Sequence, residues 1–203
     1  MRHWKNAGRV CVFLLGAWAF SSGALAQGGP GVHFGVSGGA DFPTQDQHDV
    51  FDTGWNGTAL ITFNAGTAPI GLRVDGSYQR MNTKSGLVGF VGSGNVRILD
   101  GTVDLVLGPH TGAFEPYAIG GVGGYDMRFH GEDLANGTFS DSNTRFGWNA
   151  GGGLAFPLGA SNSRIFVEAR YTSVSRGQNR FTDSITTHGR RFTFVPVNLG
   201  IVF

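Results

Sequence analysis

The sequence predicts an all-β fold, an eight-stranded antiparallel up-and-down transmembrane β-barrel. Segments in which apolar residues alternate with small or polar ones recur eight times, and a period of two is the pattern of a strand with two different faces. The connections between them alternate between short and long, as in membrane barrels. Charged residues make up 14% of the chain, below the usual value of about 25%, yet the mean hydropathy is only −0.04. A wall with an apolar outer face and a small, polar inner face satisfies both values.

Residues 1–26 have the three parts of a secretory signal peptide. Arg2, Lys5 and Arg9 form a basic start, residues 10–20 form an apolar run, and Ala24-Leu25-Ala26 gives an A-x-A cleavage site. The apolar run is shorter than the roughly 20 residues that span a bilayer, which disfavours an uncleaved anchor. We therefore expect cleavage after Ala26 and a single barrel domain over residues 27–203.

Composition excludes several classes of protein. The one cysteine, Cys11, lies within the signal peptide, so neither a disulfide framework nor thiolate chemistry is expected in the mature chain. Without the signal peptide, 12 basic residues stand against 14 acidic ones, a formal charge of −2, so nucleic acid is not an expected partner. After Ala26 there is no apolar run of 18 or more residues, which excludes helical membrane spans.

The first four strands are predicted at residues 32–41, 55–65, 72–79 and 99–107. Their outward faces carry the apolar residues Val32, Phe34, Val36, Trp55, Ile61, Phe63, Leu72, Val74, Tyr78, Leu99, Val103, Leu105 and Leu107. The long connections in this half are residues 42–53 and 81–95, and the short one is 66–71. Aromatic residues near the segment ends fit the girdles found at the two membrane interfaces.

The last four strands are predicted at residues 117–128, 146–156, 165–172 and 192–203. In the fifth strand the outward positions are expected to be Tyr117, Ile119, Gly121, Gly123, Tyr125 and Met127, which places Val122, Asp126 and Arg128 inward. Residues 108–115 and 157–163 are predicted turns. Residues 130–143, rich in Gly, Asn, Asp and Ser, and residues 175–189 are predicted long loops.

The last strand has one wholly apolar face, formed by Val195, Val197, Leu199, Ile201 and Phe203. It resembles the C-terminal strand of bacterial outer-membrane β-barrels, in which a terminal Phe preceded by alternating apolar residues is read by the barrel-insertion machinery. The resemblance implies that Phe203 is an insertion signal. It also implies that the barrel-assembly machinery and periplasmic chaperones are partners during biogenesis.

The resemblance extends over the whole mature chain. Pro116-Tyr117-Ala118 and Phe166-Val167-Glu168-Ala169-Arg170-Tyr171 are similar to stretches common in the small eight-stranded outer-membrane barrels of the OmpA, OmpX and opacity-protein type. This implies a location in the bacterial outer membrane. The peptidoglycan-binding domain that follows the barrel in many OmpA relatives is not found in this sequence, so that anchoring role is not expected.

The inward faces carry charged side chains, and an eight-stranded barrel is just wide enough for side chains to fill it. The predicted inward charges are Asp41, Arg73, Asp75, Asp100, Asp104, Asp126, Arg128, Arg145, Glu168 and Arg170. Because an unpaired charge in a narrow lumen is costly, we expect a mutually neutralising network, with Arg73 opposite or next to Asp104. A second interpretation is a gated ion path in which the pairs exchange partners.

Arg80, Arg97 and Arg191 are predicted to lie outward at the long-loop ends of strands. The outer leaflet of a Gram-negative outer membrane exposes lipopolysaccharide phosphates, which suit bidentate arginine groups. We hypothesise that these residues bind lipid phosphates at the outer rim. Ordinary solvation of the rim is the alternative.

No metal, cofactor or catalytic site is predicted. Asp46, Asp49 and Asp52 surround His48 in the first long loop, but their spacing lacks the EF-hand pattern for Ca²⁺. The sequence has no His-x-Ser near a strand end with a Glu across from it, and its glycine clusters do not fit the dinucleotide fingerprint.

These features favour a non-enzymatic outer-membrane protein with a role in envelope integrity, or an adhesin-like role in which the extracellular loops contact a surface ligand. The alternative is a narrow pore for ions or very small solutes. A lipid A-modifying enzyme is a third possibility, for which a small barrel also serves as scaffold. A soluble lipocalin-like barrel is disfavoured, because it needs an apolar lumen whereas the charges here lie on the lumen phase.

Overall fold

The computed structural model describes residues 31–44, 48–65, 68–84, 94–109, 112–133, 137–159, 163–175 and 191–203. The predicted signal peptide, Asp46 and nearly all of the last long loop lie outside these residues. In the described part of the chain, no helix has both the length and the hydropathy needed to cross a membrane.

The described residues form eight antiparallel strands: β1 (Gly31–Pro43), β2 (Gly54–Asn64), β3 (Ile70–Asn82), β4 (Gly94–Leu107), β5 (Glu115–Asp133), β6 (Gly137–Pro157), β7 (Arg164–Val174) and β8 (Phe192–Val202). Each strand pairs with its neighbours in the chain, and β1 also pairs with β8. The sheet therefore closes on itself without a free edge along the barrel wall, and the predicted fold class is confirmed.

The two faces of the wall differ as the alternation predicts in seven of the strands. In β4, Leu99, Val103 and Leu105 are exposed on the outer face, whereas Asp100, Thr102 and Asp104 are buried in the lumen. The same alternation places Arg73 and Asp75 of β3 and Glu168 and Arg170 of β7 inside. The barrel thus has an apolar exterior around a polar, charged middle section.

The predicted phase of the fifth strand is wrong. Tyr125 is 2% exposed and Met127 is fully buried, whereas Val122 is 47% exposed. Asp126 pairs with Leu99 and Arg128 pairs with Arg97, so both charged residues lie on the outer face and not in the lumen. The glycines of this strand give little contrast between its faces, and Tyr117 and Tyr125, which the predicted phase places toward lipid, point their rings inward.

The predicted loop at residues 130–143 is largely a β-ribbon. β5 and β6 stay paired up to Asp133 and Gly137, whereas β7 ends with Val174 opposite Gly147. Residues 137–146 therefore extend past the end of β7 by about 30 Å, at about 3.3 Å per residue. Main-chain hydrogen bonds continue the ladder there even though the composition is typical of loops.

Buried hydrophobic side chains fill the lumen at the end where the long loops lie. This outer cluster comprises Phe51, Met81, Val96, Ile98, Tyr125, Met127, Phe129, Val174, Phe192 and Phe194. Phe51 comes from the described part of the first long loop, which lies over the mouth of the barrel. Its backbone bridges to Thr83, and its ring centroid lies 5.9 Å from that of Phe192. A smaller cluster of Leu60, Ala155 and Phe166 lies toward the short-turn end.

Candidate functional site

Two arginines and two carboxylates form a closed ring of ion pairs in the middle of the lumen. Arg73 Nε donates to Asp75 Oδ1 at 2.7 Å, and Arg73 Nη1 donates to Glu168 Oε2 at 2.8 Å. Arg170 Nη2 donates to Asp75 Oδ2 at 2.6 Å, and Arg170 Nε donates to Glu168 Oε1. Each carboxylate is thus shared by both arginines, and the charge ring ties β3 to β7 across the lumen.

Further groups saturate this charge ring. Arg170 Nη1 also donates to Asp104 Oδ2 at 3.1 Å, and Asp104 accepts from Thr102 and Asn149 at 2.7 Å each. The Tyr117 hydroxyl donates to Glu168 Oε2 at 2.8 Å. Multiple hydrogen bonds of this kind are what a buried ion pair needs to offset its loss of hydration.

Apart from Asp41 and Arg145, which are both buried, the predicted inward charges divide into three groups. Arg73, Asp75, Asp104, Glu168 and Arg170 come together in or beside the charge ring. Asp100 is buried but separate, accepting from Gln79 Nε2 at 2.8 Å. Asp126 and Arg128 form an ion pair of 2.9 Å on the outer face, where the Arg128 side chain is 60% exposed.

The register also aligns three arginines in a row on the outer face. Arg80 pairs with Arg97 across β3 and β4, and Arg97 pairs with Arg128 across β4 and β5. Trp55 lies beside Arg80 in the same row. Neighbouring strands are about 4.8 Å apart, so this arginine row concentrates positive charge at the long-loop end of the wall. The sequence predicts Arg128 as a lumen residue and not as part of this row, because the predicted phase of β5 is inverted.

The other two predicted residues lie elsewhere. Arg191 is exposed and immediately precedes β8, outside the arginine row. Phe203 follows β8 and is 59% exposed, and its backbone N–H donates to the Phe34 carbonyl at 2.7 Å.

The lumen also holds polar residues that a reading of charges alone missed. Asn56 Nδ2 donates to Asp41 Oδ1 at 2.8 Å, and Gln79 and Asn149 donate to Asp100 and Asp104 in the same way. All three amides are on the inward phase, so the period-two pattern was the signal that could have found them. Within the described residues, no group of three His, Cys, Asp or Glu side chains is placed to hold a metal ion.

Residues 12–196 match the family model of the outer membrane protein beta-barrel domain. The chain belongs to this family. It is accordingly a protein of the bacterial outer membrane, as the closed barrel with its apolar exterior requires. No curated protein matches the sequence.

Three solved outer-membrane barrels share the fold. Neisserial surface protein A is 12% identical, with 84% of this chain and 95% of that chain covered and a TM-score of 0.56. Ail, the attachment invasion locus protein of Yersinia pestis, solved with the heparin analogue sucrose octasulfate, is 12% identical over 86% and 99% of the two chains, with a TM-score of 0.52. A major outer membrane protein from Thermus thermophilus is 13% identical over 85% and 98%, with a TM-score of 0.58. At these identities the likeness describes the fold alone.

Proposed function

We propose that this outer-membrane barrel is a non-conducting, non-enzymatic wall protein that supports envelope integrity and meets surface ligands at its long-loop end. The proposal rests on the filled lumen. From the short-turn end to the long-loop end, the lumen contains the smaller cluster around Phe166, then the charge ring, then the outer hydrophobic cluster. A barrel filled in this way has only its outer surface available for interaction.

The charge ring argues against conduction. For an ion to pass, Arg73 or Arg170 would have to release carboxylates that each arginine shares with the other. Breaking one buried ion pair leaves uncompensated charge and costs about 3–5 kcal/mol, and here the pairs are linked. The hydrophobic cluster adds a second barrier, since a hydrated ion would have to cross an apolar layer.

A narrow pore is the second candidate, favoured by two cavities in the lumen. One, of about 30 Å³, lies beside Asp75, Asp100 and Arg170. The other, of about 80 Å³, lies near Arg73, Glu115 and Arg164. Arg73 and Arg170 belong to the same charge ring, so exchange of ion-pair partners would join the two cavities.

Single-channel recording in planar bilayers separates these functions. We expect no discrete conductance steps from the refolded protein, and none from Phe114→Ala, a control at an exposed aromatic residue. Regular conductance steps from the wild type would establish the pore. Mass analysis of lipid A from cells with and without the protein tests enzyme activity, and an altered acylation pattern would contradict the non-enzymatic assignment.

We further propose that the arginine row of Arg80, Arg97 and Arg128 binds lipopolysaccharide phosphates. Like charges directly opposite on neighbouring strands are destabilising; Asp126 offsets this penalty at Arg128 alone, and a bound anion would remove it for the row. Arginine suits a phosphate because its planar guanidinium donates two parallel hydrogen bonds. The tilted contact between Trp55 and Tyr78, 5.6 Å between centroids, places interfacial aromatic groups beside the row.

Matched single variants test the row. Arg97→Ala removes the central arginine, and native mass spectrometry should show reduced lipopolysaccharide retention. Arg164→Ala, near the short turns where Arg164 pairs with Glu115 at 2.8 Å, should retain the lipid. Arg191→Ala tests whether the site extends beyond the row. Unchanged retention by Arg97→Ala and by a triple variant at 80, 97 and 128 would defeat the proposal.

For the surface ligand, we propose the ribbon formed by the paired ends of β5 and β6. It projects past β7, and extended surface segments are where binding functions concentrate. Ail was solved with a sulfated heparin analogue, which makes sulfated glycans a first probe. A variant with residues 131–139 replaced by a two-residue Asn-Gly turn, which joins the paired residues His130 and Ser140, should lose cell or glycan binding while the barrel still folds. Undiminished binding by this variant would show that the ribbon is not the binding site.

A further inference from the structure

A polar cavity of about 30 Å³ lies between the charge ring and the outer hydrophobic cluster. Arg170 and Asp75 of the charge ring line one side, and Tyr125 of the hydrophobic cluster lines another. Most of the remaining lining is uncharged and polar, including the side chains of Asn56, Gln79, Asn149 and Asn198. The space is enough for about two water-sized groups.

Carboxylates fix the orientation of three of these amides. Asn56 Nδ2 donates to Asp41 at 2.8 Å, Gln79 Nε2 donates to Asp100 at 2.8 Å, and Asn149 Nδ2 donates to Asp104 at 2.7 Å. Because an ionised carboxylate only accepts hydrogen bonds, each amide must turn its NH₂ group to the acid. Its carbonyl oxygen is then directed away from that acid.

The carbonyl oxygens of these amides have no hydrogen-bond partner among the described residues, and neither has that of Asn198. The four residues are at most 7% exposed, and all four line the cavity. One oxygen of Asp41 shares this condition. Buried oxygens without a partner are costly, so the cavity presents several acceptors that require either a donor or a cation.

The charge balance favours a cation. Apart from Glu115, which pairs with Arg164, the described buried acids are Asp41, Asp75, Asp100, Asp104 and Glu168. The described buried bases are Arg73, Arg145 and Arg170. With every group counted as ionised, five acids against three bases give a formal excess of two negative charges inside the wall. Water would satisfy the oxygens but leave that charge.

We propose that this cavity binds one hard cation of the Na⁺ or Ca²⁺ class through the oxygens of Asn56, Gln79, Asn149 and Asn198, with Asp100 supplying charge. Amide and carboxylate oxygens are the ligands that such ions prefer, whereas zinc and copper favour nitrogen and sulfur. Mg²⁺ fits less well, because it usually keeps several of its own waters and the space is small. The site would bring together β2, β3, β6 and β8 with β4, and so would stiffen the barrel.

The test uses the processed chain refolded from urea in detergent free of lipopolysaccharide, so that the ion can enter as the barrel closes. Refolding is carried out with N-methylglucamine, Na⁺ or Ca²⁺ as the chloride at equal ionic strength. We expect a higher urea midpoint of unfolding with Na⁺ or Ca²⁺ than with the organic cation, which is too large for the cavity. Equilibrium dialysis with radiolabelled ion then counts the bound cations.

The variant Asn56→Leu should bind one ion fewer per barrel and lose most of the ion-dependent rise. Asn64→Leu is the matched control, since Asn64 belongs to the same strand and lines the other cavity. Asn56→Asp adds a charge next to Asp41 and should make folding depend more strongly on Ca²⁺, which keeps the test valid if Asn56→Leu fails to fold. Comparison of the Na⁺ and Ca²⁺ arms identifies the ion. The proposal would be overturned by wild-type midpoints that are equal in all three salts. Ion counts that are equal in the wild type and both Asn56 variants would overturn it as well.

Discussion

Gly121 of β5 lies directly opposite Asp104 of β4, and the absence of a side chain at Gly121 is what gives the Asp104 carboxylate its place. A methyl group at position 121 would overlap Asp104 Oδ1 and the backbone carbonyl of Val103. Asp104 in turn accepts hydrogen bonds from Arg170, Thr102 and Asn149. The glycine is therefore part of the charge ring's support, because it leaves room for that carboxylate.

Gly121→Ala should destabilise the barrel. The new methyl group meets backbone atoms that cannot move aside without shifting β4, and overpacking of this kind costs about 1–3 kcal/mol. Gly124→Ala, on the outer face of the same strand with no atom within 4 Å of the added carbon, is the control and should be neutral. Urea midpoints of the two variants in detergent provide the comparison, and similar midpoints would contradict the packing argument.

Replacing Glu168 should be far more damaging than replacing Asp126. Glu168 is buried and accepts from Arg73, Arg170 and Tyr117, so Glu168→Gln leaves two buried guanidinium groups short of negative charge, at a cost of about 3–5 kcal/mol. Asp126→Asn breaks only the ion pair with the exposed Arg128, which is worth less than about 1 kcal/mol. On gels of samples heated to increasing temperatures, we expect Glu168→Gln to shift from the folded to the unfolded mobility at a lower temperature than the wild type, and Asp126→Asn to behave like the wild type. Equal shifts in the two variants would contradict it.

The inverted phase of β5 can be tested directly. A nitroxide label at Val122→Cys should face lipid, so dissolved oxygen should strongly enhance its spin relaxation. A label at Val103→Cys should behave in the same way, because Val103 lies directly opposite on the outer face. A water-soluble paramagnetic reagent should affect neither position. Low oxygen accessibility at position 122 combined with high accessibility at 103 would restore the phase predicted from sequence.

Most of the wall could be predicted from sequence because lipid imposes a simple rule on its outer face. Residues such as Leu99, Val103 and Leu105 have to be apolar at every second position, and that regularity survives in the chain. The lumen follows no such rule. Tyr117 faces inward because its hydroxyl reaches Glu168, and an alternation of apolar with polar types cannot tell such a tyrosine from a lipid-facing one.

The candidate site shows the same limit. Inward charges such as Arg73 and Glu168 could be assigned to the lumen from their phase, but their partners depend on contacts across it. β3 and β7 are not neighbours in the sheet, so the bond between Arg73 and Glu168 is invisible to any reading of adjacent strands. The cavity amides were likewise outside a search limited to charged groups.

Phe51 shows how a loop residue can become part of the barrel core, which leads to the last prediction. Its segment is held over the barrel mouth by Asp52 N–H donating to the Asn82 carbonyl at 2.8 Å and by Lys84 N–H donating to the Val50 carbonyl at 2.9 Å. The ring itself is buried in the outer hydrophobic cluster against Phe192. Phe51→Ala should cost about 3–5 kcal/mol, as for other buried Phe truncations.

Phe114→Ala serves as the control for this prediction, since Phe114 is exposed and its removal should change stability little. Hydrogen exchange separates a local effect from a global one. In Phe51→Ala the amides of Asp52 and Lys84 should lose more protection than amides in the middle of β3 and β4, because the segment loses its anchor in addition to the global loss of stability. Unchanged protection at Asp52 would show that the backbone hydrogen bonds hold the loop without the ring, and the contribution of Phe51 would then be confined to filling the lumen.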